Sequence, residues 1–379
     1  MRGAAPEPRP AVSSPFPDRR AGLRSVDDLV AAGLVTAAAA EALRPVGERY
    51  AVALTPTVAG LIDPTDPADP IARQFVPAAA ELVARPAERA DPIGDDAHSP
   101  VPGIVHRYPD RVLLKLVSVC AVYCRFCFRR ETIGPGGETA LGEAALARAL
   151  DYVAATPTVW EVVVTGGDPF VVAPRRLKDL VGRLGRIPHV KIVRFHTRVP
   201  VVAPERIDAA LVEALQGAGV TPYVVVHANH PRELAGAAAA ALGRLAGAGV
   251  PLLGQSVLLR GVNDDAATLA ALFRRLVELR VKPYYLHHPD LAPGTGHFRL
   301  DIAEGRRLVA ALRGSLSGIA QPTYVLDIPG GYGKVPVGPG YAEPDGDGWR
   351  VTDVCGAVHR YDPDAGGAPG APPVGSGDG

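Results

Sequence analysis

The chain has 379 residues, of which 47% are hydrophobic and 21% are charged, a composition typical of globular proteins. Its 40 Lys and Arg residues balance 40 Asp and Glu residues, so charge gives no basis for binding nucleic acid or an acidic membrane surface. No apolar run reaches the ~20 residues that span a bilayer, and the N-terminus lacks the apolar core of a signal peptide. Because three of the four cysteines are clustered, we expect a reduced, cytoplasmic protein without a disulfide framework.

The two ends of the chain have compositions unlike its middle. Residues 1–20 are rich in Pro, Arg and Ala, which predicts a mobile leader. Residues 21–100 contain short helical patterns that Pro and Asp interrupt repeatedly, so we expect an N-terminal region of small helices. Residues 362–379 contain little that could be buried, which predicts a disordered tail.

Six strand-like apolar runs alternate with amphipathic helical stretches in the middle of the chain. The runs are 112–118, 161–165, 190–195, 222–227, 252–259 and 282–287. Six βα units in series predict a parallel sheet with right-handed crossovers, too few for a closed eight-stranded barrel. The sequence therefore predicts an α/β fold, a partial (β/α)6 TIM-like barrel over 101–320. A C-terminal segment over 321–361 begins with a short strand-like piece at 323–326.

Three cysteines lie directly after the first strand-like run, at Cys120, Cys124 and Cys127. Thiolates are soft ligands that suit iron–sulfur clusters, zinc or copper. A closed structural zinc site usually needs a fourth Cys or His, which here would be the distant Cys355. A [4Fe–4S] cluster held by three cysteines keeps one iron open. The spacing favours this cluster over a zinc site and over three unrelated buried thiols.

Polar and glycine-rich residues lie at the ends of the other strand-like runs. Parallel barrels form their sites at the carboxyl ends of the strands, so these residues are expected to lie together. The Gly166-Gly167 pair allows close approach of the backbone to a ligand, although a plain turn would also explain it. The segments, in order, are Thr165-Gly-Gly-Asp168, His196-Thr-Arg198, His227-Ala-Asn-His230, Gln255 and His287-His-Pro-Asp290.

A second stretch with chemical potential is the glycine-rich loop Asp327-Ile-Pro-Gly-Gly-Tyr-Gly-Lys334. A lysine in such a loop can reach into a cavity with little steric obstruction. Lysine amines form Schiff bases with carbonyl compounds, including pyridoxal 5′-phosphate (PLP). On spacing alone, a surface lysine on a turn is the simpler interpretation.

Taken together, these motifs resemble the lysine 2,3-aminomutase family of radical S-adenosylmethionine (SAM) enzymes. The resemblance rests on the cysteine loop with Arg129-Arg130, the Gln255-to-Asn263 run and the Gly-Gly-Tyr-Gly-Lys334 loop, and it covers about residues 100–340. It implies a partial barrel of the radical SAM type, with a [4Fe–4S] cluster, SAM and PLP. It also implies an isomerase that moves the α-amino group of L-lysine from C2 to C3 after an external one-electron reductant has reduced the cluster.

The resemblance assigns the cluster and SAM to particular residues. Cys120, Cys124 and Cys127 are implied to hold the cluster, whose open iron binds SAM. The family's Gly-Gly-Glu-like motif has Asp168 as its third residue in this chain. The implied SAM-binding residues are Thr165, Gly166, Gly167, Asp168, Arg198, His227 and Gln255.

PLP is assigned in the same way. Lys334 is implied to be its Schiff-base lysine. Arg107, Tyr108 and Arg111 match the segment that holds the PLP phosphate, which agrees with the bidentate binding of phosphate by guanidinium groups.

The resemblance also implies how the substrate is bound. Arg129 is implied to pair with the α-carboxylate, and Asp290 and Asp327 with the far ammonium group of lysine. A desolvated ammonium needs opposite charge near it, and two carboxylates reject an acidic side chain. Lysine is therefore favoured over glutamate, while arginine stays open as a substrate.

The same residues leave two alternative functions open. The isomerase that prepares β-lysine for elongation factor P has a similar Cys-Phe-Arg-Arg sequence and resembles the Tyr284-to-His287 run. A non-catalytic protein that carries an iron–sulfur cluster or PLP is an alternative of a different class.

Some family members bind zinc through cysteines that are replaced here by Asp265 or reduced to Cys355 alone, so we expect no zinc site. The family also implies a homo-oligomer, with residues 25–100 as the contact region.

Overall fold

The computed structural model describes residues 22–133 and 140–362. The leader expected over 1–20 lies outside the described residues, as does the expected tail apart from Asp362. Among the helices of the described ranges, none combines the length and the apolar character needed to cross a membrane.

Short helices form the N-terminal region, and each begins beside a capping side chain. Ser25, Thr36, Thr55 and Asp69 accept hydrogen bonds from backbone N–H groups in the first turns, which satisfies donors that have no partner within the helix. The α-helices are α1 (Val26–Ala31), α2 (Ala37–Arg49), α3 (Pro56–Leu61) and α4 (Pro70–Phe75), and 3-10 turns follow at Ala79–Leu82 and Asp96–His98.

Within the described ranges the central sheet has nine strands, which follow one another in chain order. The strands are β1 (Ile104–Tyr108), β2 (Arg111–Val117), β3 (Glu161–Gly166), β4 (Ile192–Thr197), β5 (Thr221–His227), β6 (Leu252–Val257), β7 (Val281–His287), β8 (Thr323–Ile328) and β9 (Gly333–Pro336). Strands β2 to β8 are parallel. The edge strands β1 and β9 pair antiparallel with their neighbours.

The α/β partial (β/α)6 barrel is confirmed, and a seventh parallel strand, β8, follows its six βα units. The short piece at 323–326 is the beginning of β8, which pairs in parallel with β7. Its predicted length of four residues was too short to indicate a full strand of the sheet. At the open side of the barrel, the backbone N–H of Lys334 on β9 donates to the Tyr108 hydroxyl on β1 at 2.7 Å.

Helices cover the outside of the sheet with one apolar face each. In α6, Leu177, Leu180, Val181 and Leu184 are buried, at the spacing of one helical face. The strands beneath are almost continuously apolar, as in Val162–Val164, because both faces of a parallel sheet are covered. The helices are α5 (Glu143–Ala154), α6 (Pro174–Gly185), α7 (Val199–Val202), α8 (Ala209–Leu215), α9 (Gly236–Gly247), α10 (Ala266–Glu278) and α11 (Ile302–Leu312).

The N-terminal helices share the core of the barrel. Leu29, Ile71 and Phe75 are buried in the same cluster as the strand residues Leu114 and Val164. This packing places α4 and the turn after it beside the loop that follows β2, and that contact shapes the site described below. The limits of the predicted chain segments stay a prediction.

A small antiparallel sheet that was not predicted ends the described part of the chain. Its strands are β10 (Ala342–Asp345), β11 (Gly348–Thr352) and β12 (Val358–Tyr361). Almost all of its side chains are exposed or half-buried, so the sequence has no alternation of buried and exposed residues to indicate it. Cross-strand pairs such as Trp349 opposite Tyr361 accompany the backbone ladder.

Candidate active site

The cysteine loop follows β2 and is held by backbone contacts to the N-terminal region. Tyr123 N–H donates to the Ala53 carbonyl at 2.8 Å, and Arg125 N–H donates to the Gln74 carbonyl at 2.9 Å. Cys120, Cys124 and Cys127 are all free and half-buried. The loop is therefore held by residues of the N-terminal region that precede it by 51 and 70 positions in the sequence.

The three thiols suit an iron–sulfur cluster better than a single ion. In the described residues, no three His, Cys, Asp or Glu side chains are grouped so as to hold one metal ion, whereas a cubane takes each cysteine on a different iron. Burial raises the pKa of the Cys127 thiol to about 11 and raises the pKa values of Cys120 and Cys124. Such thiols become thiolates only with a cationic partner, which the irons of a cluster supply.

A buried network of ion pairs connects the cysteine loop to the N-terminal region. The Glu81 carboxylate accepts from Arg125 Nε at 2.9 Å and from Arg130 Nη2 at 2.5 Å, and all three side chains are 0% exposed. Arg125 also donates to the Ala51 carbonyl at 2.7 Å. Buried charges of this kind must be paired, so the network ties the cysteine loop to the N-terminal region. Glu81 was missed in the sequence because a lone Glu on a short turn carries no motif.

The Gly166-Gly167 pair lies where β3 meets the start of the cysteine loop. Gly166 has φ +111°, and a Cβ there would lie 2.3 Å from the Val117 carbonyl oxygen. A Cβ on Gly167 would lie 2.2 Å from the Val119 carbonyl oxygen. Both glycines are therefore required, because the backbone at the end of β3 passes very close to the backbone of residues 117–119. This close contact positions the beginning of the cysteine loop.

Asp168, which follows the two glycines, is hydrogen-bonded to residues at the end of β4. Its buried carboxylate accepts from Thr197 Oγ1 at 2.7 Å, from Arg198 N–H at 2.6 Å, and from the N–H groups of Phe170 and Val199. Thr165, just before the glycines, lies 3.5 Å from Arg129 Nη1. The structure therefore places Thr165 and Asp168 beside the cysteine loop, and their binding of SAM stays a prediction.

Two histidines with unpartnered nitrogens line the barrel interior near this corner. His227 on β5 and His196 on β4 are in edge-to-face contact, with ring centroids 5.5 Å apart. Both Nε2 atoms are buried without a hydrogen-bond partner. Burial lowers the pKa of His227 to about 3 and lowers the pKa of His196 well below its usual value, so both rings are neutral at pH 7. Gln255 on β6 lies next to His227 in the sheet register.

Unpartnered polar atoms that face a barrel interior fit a polar ligand such as SAM. The sequence identified His227 and Gln255 by their positions at strand ends. His196 was part of a segment noted for its polarity, but it was not assigned a role.

Lys334 lies at the start of β9, directly opposite Asp327 in the antiparallel register with β8. Its ammonium group donates to the Asp327 carboxylate and lies 3.3 Å from His287 Nδ1. The Tyr285 ring centroid is 5.5 Å from the same nitrogen. The lysine is therefore not on a surface turn, as the simpler interpretation had it, but points toward acidic and aromatic side chains inside the barrel.

The predicted phosphate residues lie next to Lys334. Tyr108 accepts from the Lys334 backbone, and the Arg111 guanidinium lies 3.9 Å from the Tyr108 ring centroid. Arg107 donates to the Ile93 carbonyl at 2.6 Å, and its Nε is buried without a partner. An unpartnered guanidinium nitrogen beside Tyr108 fits a phosphate group, which accepts several such donors.

The two aspartates assigned to the substrate lie close enough to influence each other's charge. Burial and the negative charge of Asp327 raise the pKa of Asp290 to about 7, and one of its oxygens is buried without a partner. Although burial alone would raise the pKa of Asp327, hydrogen bonding to His287 and the charge of Lys334 hold it below its usual value. The charges and the unpartnered Asp290 oxygen therefore favour the binding of a further cation beside the two aspartates.

Arg129 is held in an ion pair with an acidic residue of the N-terminal region. Its Nη2 lies 2.8 Å from Asp95 Oδ2, and Asp95 also accepts from Arg107 at 3.3 Å. A cavity of about 350 Å³ opens beside Arg129 and is also lined by Asp95, Lys115 and Gly166. The cavity lies next to the cofactor residues and not around Lys334. Asp95 and His287 were missed as site residues.

The residues considered for zinc lie apart from this site. Cys355 is exposed in the turn between β11 and β12, where its backbone donates to Asp353 at 2.8 Å. Asp265 caps α10 by accepting from Thr268 N–H at 2.8 Å.

Comparison with known proteins gives the class and then the family. Residues 110–196 match the family described as "4Fe-4S single cluster domain" and contain the whole cysteine loop, so the chain is in the class of proteins with a single iron–sulfur cluster. Residues 309–347, with Lys334 and Asp327, match the family described as "Lysine-2,3-aminomutase". Relatives that are 40–44% identical over 72–76% of this chain show that it belongs to the lysine 2,3-aminomutase family of radical SAM isomerases, and the resemblance noted in the sequence is confirmed.

Curated relatives cover most of the chain. An L-lysine 2,3-aminomutase of Clostridium subterminale is 44% identical over 290 residues, which are 76% of this chain and 69% of the relative. One of Escherichia coli with the same name is 40% identical over 272 residues, 72% of this chain and 79% of the relative. A glutamate 2,3-aminomutase of Clostridioides difficile is 36% identical over 319 residues, 84% of this chain and 75% of the relative. The family uses a [4Fe–4S] cluster, SAM and PLP, and the donors described above fit all three.

Proposed function

We propose that this chain moves the α-amino group of L-lysine from C2 to C3 and so forms β-lysine. The observation that carries the proposal is the pair of carboxylates on the same side of the barrel as Lys334, the buried Asp327 and the half-buried Asp290, of which one oxygen is buried without a partner. This arrangement offers a negatively charged end to a substrate whose other end binds a cationic group. Lysine has the matching charges, an α-carboxylate at one end and an ammonium at the other.

The cofactors supply the bond-breaking chemistry. When bound, the cluster and SAM supply the radical that removes and returns a hydrogen atom, and PLP supplies the aldehyde and conjugated ring through which the nitrogen migrates. In this proposal Cys120, Cys124 and Cys127 hold the cluster. The SAM-binding residues are then Thr165, Gly166, Gly167, Asp168, Arg198, His227 and Gln255.

Residues of β1, β2 and β9 place PLP in this proposal. Lys334 holds the aldehyde carbon through its side-chain amine. Arg107 and Tyr108 on β1 and Arg111 at the start of β2 bind the phosphate, and charge-assisted hydrogen bonds from guanidinium groups are strong and directional. Asp327 accepts from the Lys334 ammonium until PLP arrives and so keeps the amine aimed into the barrel.

The substrate is held at both ends. Arg129 binds the α-carboxylate through the part of its guanidinium that Asp95 does not occupy, since Nη1 has only a 3.5 Å contact to Thr165. Asp290 and Asp327 bind the far ammonium, and the ammonium favours ionisation of Asp290. Two-ended binding fixes C3 relative to the radical source, which is the main contribution of the protein to rate.

The charges of Asp290 and Asp327 also determine how well other amino acids would bind. A glutamate side chain would place a third carboxylate beside Asp290 and Asp327, which is unfavourable in a buried site. Arginine carries a cationic end like that of lysine and is the second candidate substrate. We include in the proposal a cytoplasmic location, which rests on the clustered cysteines. An external one-electron reductant and a homo-oligomer in contact through residues 25–100 are also included, and these rest on the family.

The test is anaerobic reconstitution of the protein with iron, sulfide, SAM, PLP and dithionite, followed by separate incubation with L-lysine, L-arginine and L-glutamate. We expect β-lysine as the main product by chromatography and mass spectrometry. Cys124→Ala should give no product, whereas Lys282→Ala should be unaffected because its side chain donates to the Gln321 carbonyl at the protein surface. Preferential conversion of glutamate would overturn the proposal, and preferential conversion of arginine would replace lysine as substrate.

A further inference from the structure

Arg198, the first residue after β4, makes a side-chain contact with a cysteine of the loop. Its Nη1 lies 3.2 Å from Cys124 Sγ, and the guanidinium is buried. We propose that Arg198 raises the reduction potential of the iron–sulfur cluster by donating a hydrogen bond to the Cys124 thiolate. Hydrogen bonds to cluster sulfurs are one of the main ways in which proteins set cluster potentials.

The guanidinium is fixed by a closed polar network on its other side. Arg198 Nη2 donates to Gln74 Oε1 and to Glu233 Oε2, each at 2.6 Å. The second Glu233 oxygen accepts from the backbone N–H groups of Asn229 and His230, both at 2.9 Å. Because Glu233 and Gln74 are held by several donors of their own, the guanidinium cannot turn away from the sulfur without leaving buried acceptors unpaired.

Two aromatic rings lie against the Arg198 guanidinium at this contact. The guanidinium carbon lies 4.7 Å from the Phe75 ring centroid and 5.2 Å from that of Phe126. Phe75 is the last residue of α4, and Phe126 is part of the cysteine loop. A charge between two rings in a buried site acts on its neighbours far more strongly than a solvated charge.

The arrangement of charges around Arg198 determines the direction in which the reduction potential of the cluster shifts. Reduction adds one negative charge to the cluster, and the cation lies between the cluster thiolate and the Glu233 carboxylate. The positive end of the Arg198–Glu233 pair therefore faces the sulfur, and it stabilises the reduced state more than the oxidised state. The effect is an easier first electron transfer, on which SAM cleavage depends.

This inference is separate from the SAM-binding role proposed above for Arg198. Both of its terminal nitrogens have partners within the protein, on Cys124, Gln74 and Glu233, whereas its Nε is buried without a partner and is the atom left for SAM. The inference rests on the cluster of the proposed function and not on lysine chemistry, so it can fail while the aminomutase proposal stands.

The experiment is a potentiometric titration of the reconstituted protein without amino acid, followed by electron paramagnetic resonance of the reduced cluster. Arg198→Gln should lower the equilibrium constant for reduction at least tenfold, about 59 mV for a one-electron couple. Arg198→Lys should shift it less, because the charge is kept. The control is Arg194→Gln on β4. The Arg194 guanidinium donates to Glu161 at 2.7 Å, so the cluster midpoint of this variant should equal that of the wild type.

A wild-type midpoint in cluster-loaded Arg198→Gln would overturn the proposal. A wild-type midpoint together with a lost affinity for SAM would overturn it as well, because Arg198 would then act through SAM alone. If Arg198→Gln does not retain iron, the wild-type chain and Arg198→Lys, both labelled with ¹⁵N only at the arginine guanidinium nitrogens, decide. Pulsed electron paramagnetic resonance should then show a ¹⁵N coupling to the reduced cluster in the wild type that is missing in Arg198→Lys, and equal couplings would contradict the contact with Cys124.

Discussion

Arg129 and Asp95 form an ion pair with 2.8 Å between Nη2 and Oδ2, and their side chains are 14% and 8% exposed. Asp95 also accepts from Arg107 at 3.3 Å. One carboxylate therefore holds two guanidinium groups that we assign to two different anions, the substrate carboxylate and the PLP phosphate. We infer that Asp95 keeps both cations in position before either ligand binds.

Removal of Asp95 tests this arrangement in the ligand-free protein. Asp95→Ala leaves two largely buried guanidinium groups without their shared acceptor, which should lower the free energy of unfolding by about 1–3 kcal/mol. Inorganic phosphate or PLP should restore more stability to the variant than to the wild type, since the anion replaces the lost carboxylate. Thermal unfolding with increasing phosphate measures both effects.

The control for that experiment is Asp96→Ala, because Asp96 is exposed on the adjacent turn. It should unfold like the wild type at every phosphate concentration. An equal response to phosphate in Asp95→Ala and the wild type would show that Asp95 does not occupy the anion-binding guanidinium groups.

Lys334→Ala should abolish both β-lysine formation and covalent attachment of PLP. The measurement is borohydride reduction of the PLP-loaded protein, followed by mass spectrometry of the peptide that contains residue 334. Lys282→Ala is the matched control, and it should retain the label. A label found on another lysine in the wild type would move the PLP site away from β9.

The sequence predicted the parts of the site that carry compact motifs. The cysteine loop, the Gly166-Gly167 pair and the Lys334 loop were recognised because each combines unusual residue types within a few positions. Their chemistry depends on local spacing, and local spacing can be read from one sequence.

The parts that were missed depend on contacts between distant segments. Glu81, Asp95, Gln74 and Glu233 are ordinary polar residues on short helices and turns, and their roles arise only where α4 and the following turns pack on the barrel. His287 was noted at a strand end, but its contact with Lys334 required the pairing of β7, β8 and β9.

The same limit applies to the fold. The strand-like piece at 323–326 was found, but its place as the seventh parallel strand required its partner β7. The sheet of β10 to β12 has almost no buried face, and hydrophobic periodicity indicates only elements that bury one.

Asp290 should make lysine binding depend on pH near neutrality. Its pKa is raised to about 7 by burial and by Asp327, so a rise in pH through that value ionises it and favours a cationic substrate. We expect kcat/KM for lysine to increase as pH rises through about 7. In Asp327→Asn the inflection should move to lower pH, because the neighbouring negative charge is gone. Asp290→Asn should lose the inflection, and an unchanged pH profile there would exclude Asp290 as its source.

The same group should affect stability in the opposite direction. The folded pKa of Asp290 lies above the value of about 3.9 for an unfolded chain. Between these values the folded state binds a proton that the unfolded state has released, so this contribution is present below about pH 4 and is lost as pH rises through about 7. Calorimetry of the ligand-free protein should show a smaller fall in stability over that range for Asp290→Asn than for the wild type.

Glu81→Gln tests whether the buried ion network supports the cluster. The variant leaves Arg125 and Arg130, both 0% exposed, without a counter-charge, and the loss of one partner from a buried pair costs about 3–5 kcal/mol. Because both arginines flank Cys127, the reconstituted variant should bind less iron as well as unfold at lower temperature. The control is Glu278→Gln, which removes an exposed pair with Arg275 worth about 0–1 kcal/mol. Full iron content and wild-type stability in Glu81→Gln would show that the cysteine loop holds its shape without the network.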